Sequence, residues 1–420
     1  MPRWRRPSSW RALPVALPVE PLNRFLSGNR ITLLRSGAEY FPALEHAIDG
    51  AEREVWLEAY LFADDRAGRL VANALARAAQ RGVKVRLLVD GWGAKYYLTA
   101  SLERFLVHSG IELLKYRPEV AAWQFRSNRL RRLHRKLCHI DARIAFVGGI
   151  NIIDDSNTPG SKPPRVDFAV RVEGSLLPAI AQTMQRVWAI VQLVQLGDSQ
   201  LALFPERLPG QRVGRQTAKF VIRDNLRHRR DIEHAYLAAI RNARREIIIA
   251  SSYFFPGIRF RRELAEAAQR GVSVTLLLQA KVEYVLLHFA SRAMYGQLLQ
   301  AGVMIQEYHK SMLHAKVAVV DDRWATVGSS NIDPYSLLMA REANVVVRDR
   351  TFTTELKSKL KEMIEHGARP VPAEHWQSRS RLYKAAIWVA YGIVRLAMGF
   401  LGYGGEEWFP RRPKGSPDSA

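Results

Sequence analysis

A short polar pattern occurs twice in this chain, and the duplication constrains its fold and its chemistry more than any other feature. The copies are His134-x-Lys136-x4-Asp141 with Gly148-Gly149-x-Asn151, and His314-x-Lys316-x4-Asp321 with Gly328-Ser329-x-Asn331. Exchange at a phosphodiester needs one group that attacks phosphorus and another, on the opposite side, that protonates the leaving oxygen. One copy supplies half of these groups, so two copies in one chain can supply all of them.

The two halves resemble each other well beyond the motifs. Residues 79–90 (AQRGVKVRLLVD) match residues 268–279 (AQRGVSVTLLLQ), as expected for a duplicated unit. In the first copy the apolar pattern predicts a helix over 41–51, a strand over 55–62, a helix over 70–81 and a strand over 83–89. This alternation predicts an α/β fold with an open sheet covered by helices on both faces.

Composition divides the chain into five parts. We predict a basic, flexible N-terminal arm over 1–28, a first domain over 29–195, a linker over 196–215, a second domain over 216–352, and a C-terminal helical, membrane-associated tail over 353–420. Prolines interrupt the arm, so it lacks the unbroken apolar core of a signal peptide. The linker is rich in proline and glycine, which is typical of a domain boundary.

The first half carries twelve residues that the second half lacks. Tyr116 and Tyr308 lie 192 positions apart, whereas His134 and His314 lie 180 apart, so the extra segment directly precedes the first motif. Its basic and aromatic residues are Arg117, Trp123, Phe125, Arg126, Arg129, Arg131 and Arg132. Two readings remain open: a contact with lipid headgroups at a membrane interface, or a solvated basic loop.

The charge of the chain favours a polyanionic partner. With 63 Lys and Arg against 40 Asp and Glu, the net charge is +23, which suits either nucleic acid or an anionic membrane leaflet. The single cysteine, Cys138, excludes an intramolecular disulfide and fits a reducing, cytoplasm-facing location.

The apolar segment 385–403 has three possible roles. A membrane-spanning helix would place Arg395 near the bilayer centre at a cost of about 2.5–3.5 kcal/mol. An interfacial helix is favoured, with aromatic side chains at headgroup depth and basic side chains reaching lipid phosphate. The residues involved would be Trp388, Tyr391, Phe400 and Tyr403, with Arg381, Lys384 and Arg395. The third role is packing against the domains.

The spacing within each motif separates catalytic from structural side chains. Side chains two positions apart on a strand share a face, so His134 and Lys136 should point the same way, as should His314 and Lys316. Asp141 and Asp321 belong to the motif and are included among the catalytic candidates, although their odd spacing predicts that each holds a hairpin together. His139 faces away from His134 and is predicted to be structural.

Phosphate binding is assigned to the residues that follow each motif. The glycines there, such as Gly149, allow close approach of the backbone to an anion, and Asn151 and Asn331 offer amide donors to phosphate oxygens. Ser329, at the position equivalent to Gly149, is included among the substrate-binding residues. The sequence has no Cys/His cluster with metal-ligand spacing and no glycine-rich nucleotide loop, so we expect no metal and no cofactor.

With these motifs, the sequence resembles the phospholipase D superfamily, and within it the bacterial cardiolipin synthases of the short B type. The resemblance covers about residues 29–352 and includes LHRKLCHIDARIAFVGGIN, SYFFPG and LHAKVAVVDDRWATVGSSNIDP. It implies two phospholipase D-like domains, each a mixed sheet flanked by helices, related by pseudo-two-fold symmetry. It also implies transfer of a phosphatidyl group between two phosphatidylglycerol molecules through a phosphohistidine, giving cardiolipin and glycerol.

The resemblance further implies roles for single residues. His134 would be the nucleophile and His314 the general acid and then base, although pseudo-symmetry also allows the reverse. Asp167 and Glu342 would orient the histidines, often across the interface between halves. Longer cardiolipin synthases begin with two membrane spans that this sequence lacks, which matches the B type.

These observations predict an enzyme at the cytoplasmic face of a bacterial cell membrane, either peripheral or anchored through its C-terminal segment. Its expected partners are anionic phospholipid, chiefly phosphatidylglycerol, and the membrane surface, with no nucleic acid and no obligate protein partner. Three alternatives remain: a hydrolytic phospholipase, a metal-independent nuclease and a catalytically inactive lipid-binding protein. The apolar tail argues against the nuclease, and the intact histidines and lysines argue against the inactive protein.

Overall fold

The structure is a computed structural model that describes residues 22–118, 132–196, 211–224, 227–280, 285–333 and 340–398. The predicted arm therefore lies outside the described residues up to position 21, and so do most of the linker, most of the twelve-residue insertion and the end of the tail. Within the described part, the two halves of the chain form similar α/β units.

The first half contains β1 (Leu26–Arg35), α1 (Ser36–Asp49), β2 (Glu54–Ala59), α2 (Arg66–Gln80), β3 (Lys84–Asp90), α3 (Ala100–His108), β4 (Glu112–Tyr116), β5 (Lys136–Ile140), β6 (Ile144–Gly148), β7 (Arg165–Val166), β8 (Phe168–Gly174) and α4 (Leu177–Leu196). The predicted helices and strands are confirmed to within a few residues.

The second half contains β9 (Gln216–Arg223), α5 (Asp231–Asn242), β10 (Glu246–Ser251), α6 (Ile258–Gln269), β11 (Ser273–Gln279), α7 (Val285–Arg292), α8 (Tyr295–Gln300), β12 (Met304–Tyr308), β13 (Met312–Leu313), β14 (Lys316–Val320), β15 (Trp324–Gly328), β16 (Glu342–Arg348), α9 (Arg350–Gly367), β17 (Ala368–Pro370), α10 (Ala373–Gln377) and α11 (Arg381–Met398).

The strands of the two halves join into one mixed sheet. Its order is β17-β12-β11-β10-β14-β15-β16-β9-β1-β8-β6-β5-β2-β3-β4, so the same sequence of strands runs outward from the centre in both directions. In each half, two parallel neighbours (β2 and β3, β10 and β11) are flanked by an antiparallel hairpin that carries the motif (β5 and β6, β14 and β15). The halves meet where β1 pairs antiparallel with β9.

The sheet folds so that the central strands of the two halves also face each other. Strands β6 and β8 pack against β15 and β16, and their side chains form a core shared by both halves. Two further cores lie on the outer faces, one between the sheet and α1 to α3, the other between the sheet and the helices α5 to α8, α10 and α11. Apolar side chains are buried on both faces of the sheet, which explains the continuous apolar runs in the strand sequences.

The second half extends past its predicted end at residue 352. Helix α9 begins at Arg350, and its buried side chains Phe352, Leu356, Leu360 and Met363 belong to the shared core. Strand β17 then pairs with β12 at the edge of the sheet. In the sequence, Gly367 ends this helix, and Pro370 and Pro372 separate it from the helices of the tail.

The C-terminal helix α11 packs against the second half along one face. Ile387, Ala390 and Tyr391 are buried in that half's outer core, and the helix lies against α7. Tyr391 therefore points into the protein, which contradicts its predicted place at headgroup depth; Phe400 and Tyr403 lie outside the described residues. None of the helices in the described part is long and apolar enough to cross a bilayer.

Candidate active site

Backbone pairing between the halves positions the two motif histidines. Leu133 forms a bridge with Arg341, and the His134 amide donates to the Arg341 carbonyl (3.0 Å). In the other half, β13 pairs with β7, and the His314 amide donates to the Val166 carbonyl (2.8 Å). Each histidine thus lies two residues before a motif strand, and its backbone is bonded to the opposite half.

The same pairing places a carboxylate from the opposite half beside each imidazole. His134 Nδ1 lies 2.9 Å from Glu342 Oε1, and His314 Nδ1 lies 2.6 Å from Asp167 Oδ2. Both carboxylates are buried, and both directly follow a residue whose carbonyl or strand pairs across the interface. When such a carboxylate accepts a hydrogen bond from Nδ1–H, the proton stays on Nδ1 and the lone pair of Nε2 is free to act on a substrate.

The motif lysines lie beneath the histidines. Lys136 Nζ donates to the His134 carbonyl, and Lys316 Nζ donates to the His314 carbonyl. Lys316 Nζ also contacts Ser252 Oγ at 3.3 Å and lies 3.8 Å from Asp167 Oδ2. The predicted sharing of one face by each His-x-Lys pair is therefore observed, and it concentrates four cationic or basic groups in one buried space.

Burial lowers the pKa of the basic groups. Desolvation brings the pKa of Lys136 to about 7 and that of Lys316 to about 8, and each ammonium group is attracted by the nearby carboxylates. The pKa of His134 is lowered by desolvation, against the opposing attraction of Glu342. The pKa of His314 is lowered well below its ordinary value, first by desolvation and then by Lys316. These groups influence one another's charge, so they form one electrostatic unit.

Burial shifts the pKa values of Asp167 and His314 in opposite directions. It raises the pKa of Asp167 to about 6 and lowers that of His314, so desolvation favours the neutral form of each group. A bound phosphodiester would add negative charge beside the ring and favour the imidazolium form. Both histidine side chains keep 13% of their surface exposed, which leaves room for a substrate atom to reach them.

Asp141 and Asp321 are not part of this cluster. Their carboxylates lie at the opposite ends of β5 and β14 from the histidines. Asp141 accepts hydrogen bonds from the amides of Glu52, Arg53 and Glu54, and Asp321 does the same for Arg244, Arg245 and Glu246. Each aspartate has a positive φ of 52° in the hairpin turn. The structure shows both aspartates in the hairpin role that their spacing predicts, and these contacts give no support to their inclusion among the catalytic candidates.

The residues after each motif lie close to the orienting carboxylates. A Cβ on Gly149 would come within 2.5 Å of Asp167 Oδ1, so only glycine fits there without displacing the carboxylate. Ser329 takes the corresponding place in the second half, where its hydroxyl donates to Glu342 Oε2. Asn151 Oδ1 accepts from the Leu61 amide at 3.4 Å, while Asn331 Oδ1 has no hydrogen-bond partner among the described residues.

Comparison with known proteins agrees with this site. A family model described as "Cardiolipin synthase, PLD-like domain" matches residues 44–168 and 236–364, one match in each half. The chain is 40% identical over 342 residues to cardiolipin synthase B of Escherichia coli K12, covering 80% of this chain and 81% of that protein. The family is thereby decided. This chain belongs to the cardiolipin synthase family with phospholipase D-like domains.

Two further relatives and one solved structure resemble this chain. Cardiolipin synthase B of Salmonella typhimurium is 39% identical over 348 residues, 82% of each chain, and cardiolipin synthase A of Proteus mirabilis is 26% identical over 84% of this chain and 73% of its own. The crystal structure of phosphatidylserine synthase from Haemophilus influenzae matches with a TM-score of 0.68 at 12% identity, covering 91% of this chain and 97% of that one, which supports the fold.

Three residues at this site were not predicted from the sequence. The Tyr60 ring contacts His134 edge-on (4.8 Å between centroids) and lies under Lys136 Nζ (5.2 Å). Ser252 contacts Lys316, as described above. Arg165 is buried near His314, and its Nε and Nη1 have no hydrogen-bond partner in the described part of the chain. The internal alignment could have identified Tyr60 and Ser252, because both directly follow the second strand of their half. The described residues contain no cluster of three or more metal-binding side chains.

The hairpin role of Asp141 gives a first prediction. Replacing Asp141 by Ala removes the acceptor of three backbone amides at a buried position, and we expect the free energy of unfolding to fall by about 1–3 kcal/mol in urea titrations. Asp321→Ala, at a more exposed turn, should cost less. If Asp141→Ala abolishes turnover at unchanged stability, the catalytic assignment would be restored.

The lowered pKa values give a second prediction. For a phosphodiester substrate, kcat/KM should fall on the acidic side only below pH 6.5, because a lowered pKa keeps the His134 ring unprotonated down to that range. On the alkaline side it should fall first as His314, whose pKa is lowered well below its ordinary value, loses the proton that it donates, and again as Lys136 and Lys316 lose theirs near pH 7 to 8. A rate profile over about pH 5–10 tests both limbs. A rate that is flat through pH 9 would show that the lysine charges do not limit binding.

Proposed function

We propose that this protein is a cardiolipin synthase, which transfers a phosphatidyl group from one phosphatidylglycerol to a second and releases glycerol. The observation that carries the proposal is the pair of imidazoles, each held at Nδ1 by a carboxylate from the opposite half. This arrangement offers one ring for attack on phosphorus and another for proton transfer. The membership of the chain in the cardiolipin synthase family supports phosphatidylglycerol as the substrate.

The first half of the reaction forms a phosphohistidine. His134 Nε2 attacks the phosphorus of the donor, and the bond from phosphorus to the glycerol oxygen breaks. His314 gives its proton to that oxygen, so glycerol leaves as a neutral alcohol. Lys136 and Lys316 compensate the charge on the phosphate oxygens, and Asn151 and Asn331 add amide donors.

The second half returns the enzyme to its starting state. The acceptor's hydroxyl oxygen attacks phosphorus, the bond to His134 Nε2 breaks, and the hydroxyl proton moves to His314. Glu342 orients the nucleophile by accepting a hydrogen bond from its Nδ1–H, and Asp167 orients His314 in the same way.

The catalytic proposal predicts the behaviour of single-histidine variants. His134→Ala and His314→Ala should each reduce turnover of phosphatidylglycerol by at least about 10³-fold, because either loss leaves half of the mechanism. Only His314→Ala should still form a phosphohistidine with a donor whose leaving group needs no proton, since its nucleophile is intact. Labelled phosphatidylglycerol vesicles, acid-quenched and analysed for protein-bound label, measure this difference.

Product analysis separates the proposed activity from its alternatives. Wild-type protein with labelled phosphatidylglycerol vesicles should give cardiolipin and glycerol. Phosphatidic acid as the main product would replace the proposal with a hydrolytic phospholipase, and nicking of plasmid DNA without lipid turnover would replace it with a nuclease. The His134→Ala variant is the control, because any product that persists in it comes from a contaminant.

We also propose that the protein binds the cytoplasmic face of a bacterial membrane as a peripheral protein, partly through helix α11. The face of α11 that does not pack against the second half exposes five large apolar side chains: Leu382, Trp388, Val389, Ile393 and Leu396. Leu286 and Phe289 on the adjoining helix α7 extend this apolar surface. A net charge of +23 would draw the surface toward anionic lipid.

Charged substitutions on α11 test this attachment. Val389 and Leu396 are 62% and 65% exposed, so Val389→Asp and Leu396→Asp should leave the fold intact. Each should weaken binding to phosphatidylglycerol vesicles about tenfold in sedimentation assays, because burial of such a side chain contributes about 1.5–3 kcal/mol. Val107→Asp, at a 52% exposed position on α3, is the matched control and should bind normally. Equal binding by all three variants would contradict attachment through α11.

A further inference from the structure

The turn that follows β3 lies directly beside the first motif histidine. The carboxylate of Asp90, at the end of β3, accepts hydrogen bonds from the amides of Gly93 (2.9 Å) and Leu133 (2.8 Å). Leu133 directly precedes His134. A Cβ on Gly93 would come within 2.6 Å of Cε2 of Tyr60, whose ring contacts His134. The turn therefore borders the active site on the side of His134.

This turn presents two aromatic rings and an ammonium group to solvent. The segment 91–98 (GWGAKYYL) is held to the domain by the buried side chain of Leu98. Trp92 and Tyr96 are 45% and 77% exposed. Lys95 is also exposed, and its Nζ lies 5.9 Å from the centroid of the Trp92 ring and 5.3 Å from that of Tyr96. Such rings and lysines suit the headgroup region of a bilayer, where the rings bury their apolar parts and the ammonium group reaches phosphate.

The basic insertion of the first half begins and ends against the same turn. A Cβ on Gly91 would lie 2.8 Å from the carbonyl oxygen of Arg117, and the guanidinium carbon of Arg132 lies 5.9 Å from the centroid of the Trp92 ring. The segment 117–132 contains five arginines and one glutamate. Its two ends therefore join the domain beside the exposed rings of the turn, and its charge complements an anionic lipid surface.

The second half has an apolar surface at the equivalent place. Gln279 ends β11 as Asp90 ends β3, and it accepts a hydrogen bond from the amide of Leu313 (2.7 Å), which directly precedes His314. Helix α7 follows β11, and its exposed side chains belong to the apolar surface of α7 and α11 described above. Each motif histidine is thus accompanied, at the end of an equivalent strand, by a segment with exposed aromatic or apolar side chains.

The pseudo-two-fold symmetry of the fold places these two surfaces at one level. Equivalent strands run outward in both directions from the antiparallel pair of β1 and β9. Rotation about a two-fold axis leaves the height of every point along that axis unchanged. The turn after β3 and the helix after β11 therefore lie at the same height on opposite sides of the axis, and a flat bilayer perpendicular to the axis can contact both.

We propose that the turn 91–98, with the ends of the basic insertion, is a second membrane-binding surface, and that it acts together with the surface of α7 and α11 to hold the active site against an anionic bilayer. The inference rests on the membrane attachment proposed above and adds its orientation. The phosphate of a phospholipid lies in the headgroup region of the bilayer. An enzyme that is bound on both sides of its catalytic histidines keeps them level with that phosphate, whereas an enzyme bound through α11 alone is free to tilt.

Lipid fits these surfaces better than nucleic acid does. Single-stranded nucleic acid also binds to exposed aromatic rings beside cationic side chains. The apolar side chains of α7 and α11, at the same level as the turn, offer nothing to a nucleic acid, whereas a bilayer takes up both surfaces at once. The partner of the turn is therefore assigned as anionic phospholipid in a membrane.

Two substitutions in the turn test the proposal on the full-length protein. Tyr96→Asp replaces an exposed ring by a negative charge, and Lys95→Glu reverses the charge beside it. Sedimentation with phosphatidylglycerol vesicles measures membrane binding, and turnover of a short-chain phosphatidylglycerol below its micellar concentration measures catalysis without a membrane. We expect each variant to bind vesicles about tenfold more weakly than wild type. Each should turn over the monomeric lipid within about twofold of wild type, because both side chains are exposed to solvent.

A matched control and a second readout make the test independent of folding. Val107→Asp is the control, because Val107 is exposed in the same half but lies at the end of α3 that is farther from the turn, and it should bind vesicles as wild type does. The single cysteine, Cys138, is buried, so an environment-sensitive dye can be attached selectively to Tyr96→Cys. Its emission should shift to shorter wavelength when vesicles are added, whereas the same dye on Val107→Cys should not respond.

The possible outcomes separate failure of this inference from failure of the proposed function. If wild type does not bind vesicles, the proposed membrane attachment fails and this inference fails with it. If wild type binds vesicles but does not turn over phosphatidylglycerol, the catalytic proposal fails, and the binding and dye measurements still decide this inference.

Three results would overturn the inference while the proposed attachment stands. In the first, Leu396→Asp weakens vesicle binding but Tyr96→Asp and Lys95→Glu both bind within about twofold of wild type, with no shift of the dye at position 96. In the second, both turn variants lose turnover of the monomeric lipid, which would make the turn part of the catalytic site. In the third, Lys95→Glu weakens binding of single-stranded DNA and leaves vesicle binding unchanged, which would make nucleic acid the partner of the turn.

Discussion

The hydrogen bonds between each imidazole and a carboxylate of the other half are the interactions on which the site depends. Glu342 orients His134, and Asp167 orients His314, so neither half alone contains both a motif histidine and the carboxylate that orients it. The backbone pairings at Arg341 and at Val166 fix these distances, because each places the carboxylate one residue along from a bonded position. Assembly of the halves, through the β1 and β9 pair and the shared core, is thus a condition for chemistry and not only for stability.

Duplication alone would give two equivalent histidines, and an ordered reaction needs them to differ. Small substitutions on a symmetric frame supply the difference. Glu342 is bonded to the hydroxyl of Ser329, whereas Asp167 faces Gly149 and has a raised pKa. These differences give each ring its own protonation behaviour without changing the position of either strand. The duplicated strands fix the distances between the histidines and their carboxylates, and the residues around each imidazole determine the role of that ring.

The sequence predicted the duplicated fold, because it depends on residues at fixed spacing within a repeat, whereas Asp167 and Glu342 were expected only from the resemblance to the phospholipase D superfamily. It placed Asp141 correctly in the hairpin through its odd spacing from His134. The prediction for Tyr391 was wrong. The sequence of an amphipathic helix shows that the helix has two different faces, but it does not show which face packs against a domain. The sequence did not identify Tyr60 and Ser252 as site residues. Each contacts a motif lysine, Lys136 or Lys316, that is far away in the chain and lies on a neighbouring strand.

The burial of like charges would favour an anion at this site. Lys316 lowers the pKa of Lys136, and both lysines lower the pKa of His314. With no anion bound, this cluster is electrostatically unfavourable, and a phosphodiester between the rings relieves the repulsion. Binding should then raise the pKa of each cationic group toward its ordinary value, so the substrate itself favours the imidazolium that protonates its leaving oxygen. Binding of the phosphodiester substrate would thus produce the imidazolium acid that protonates it.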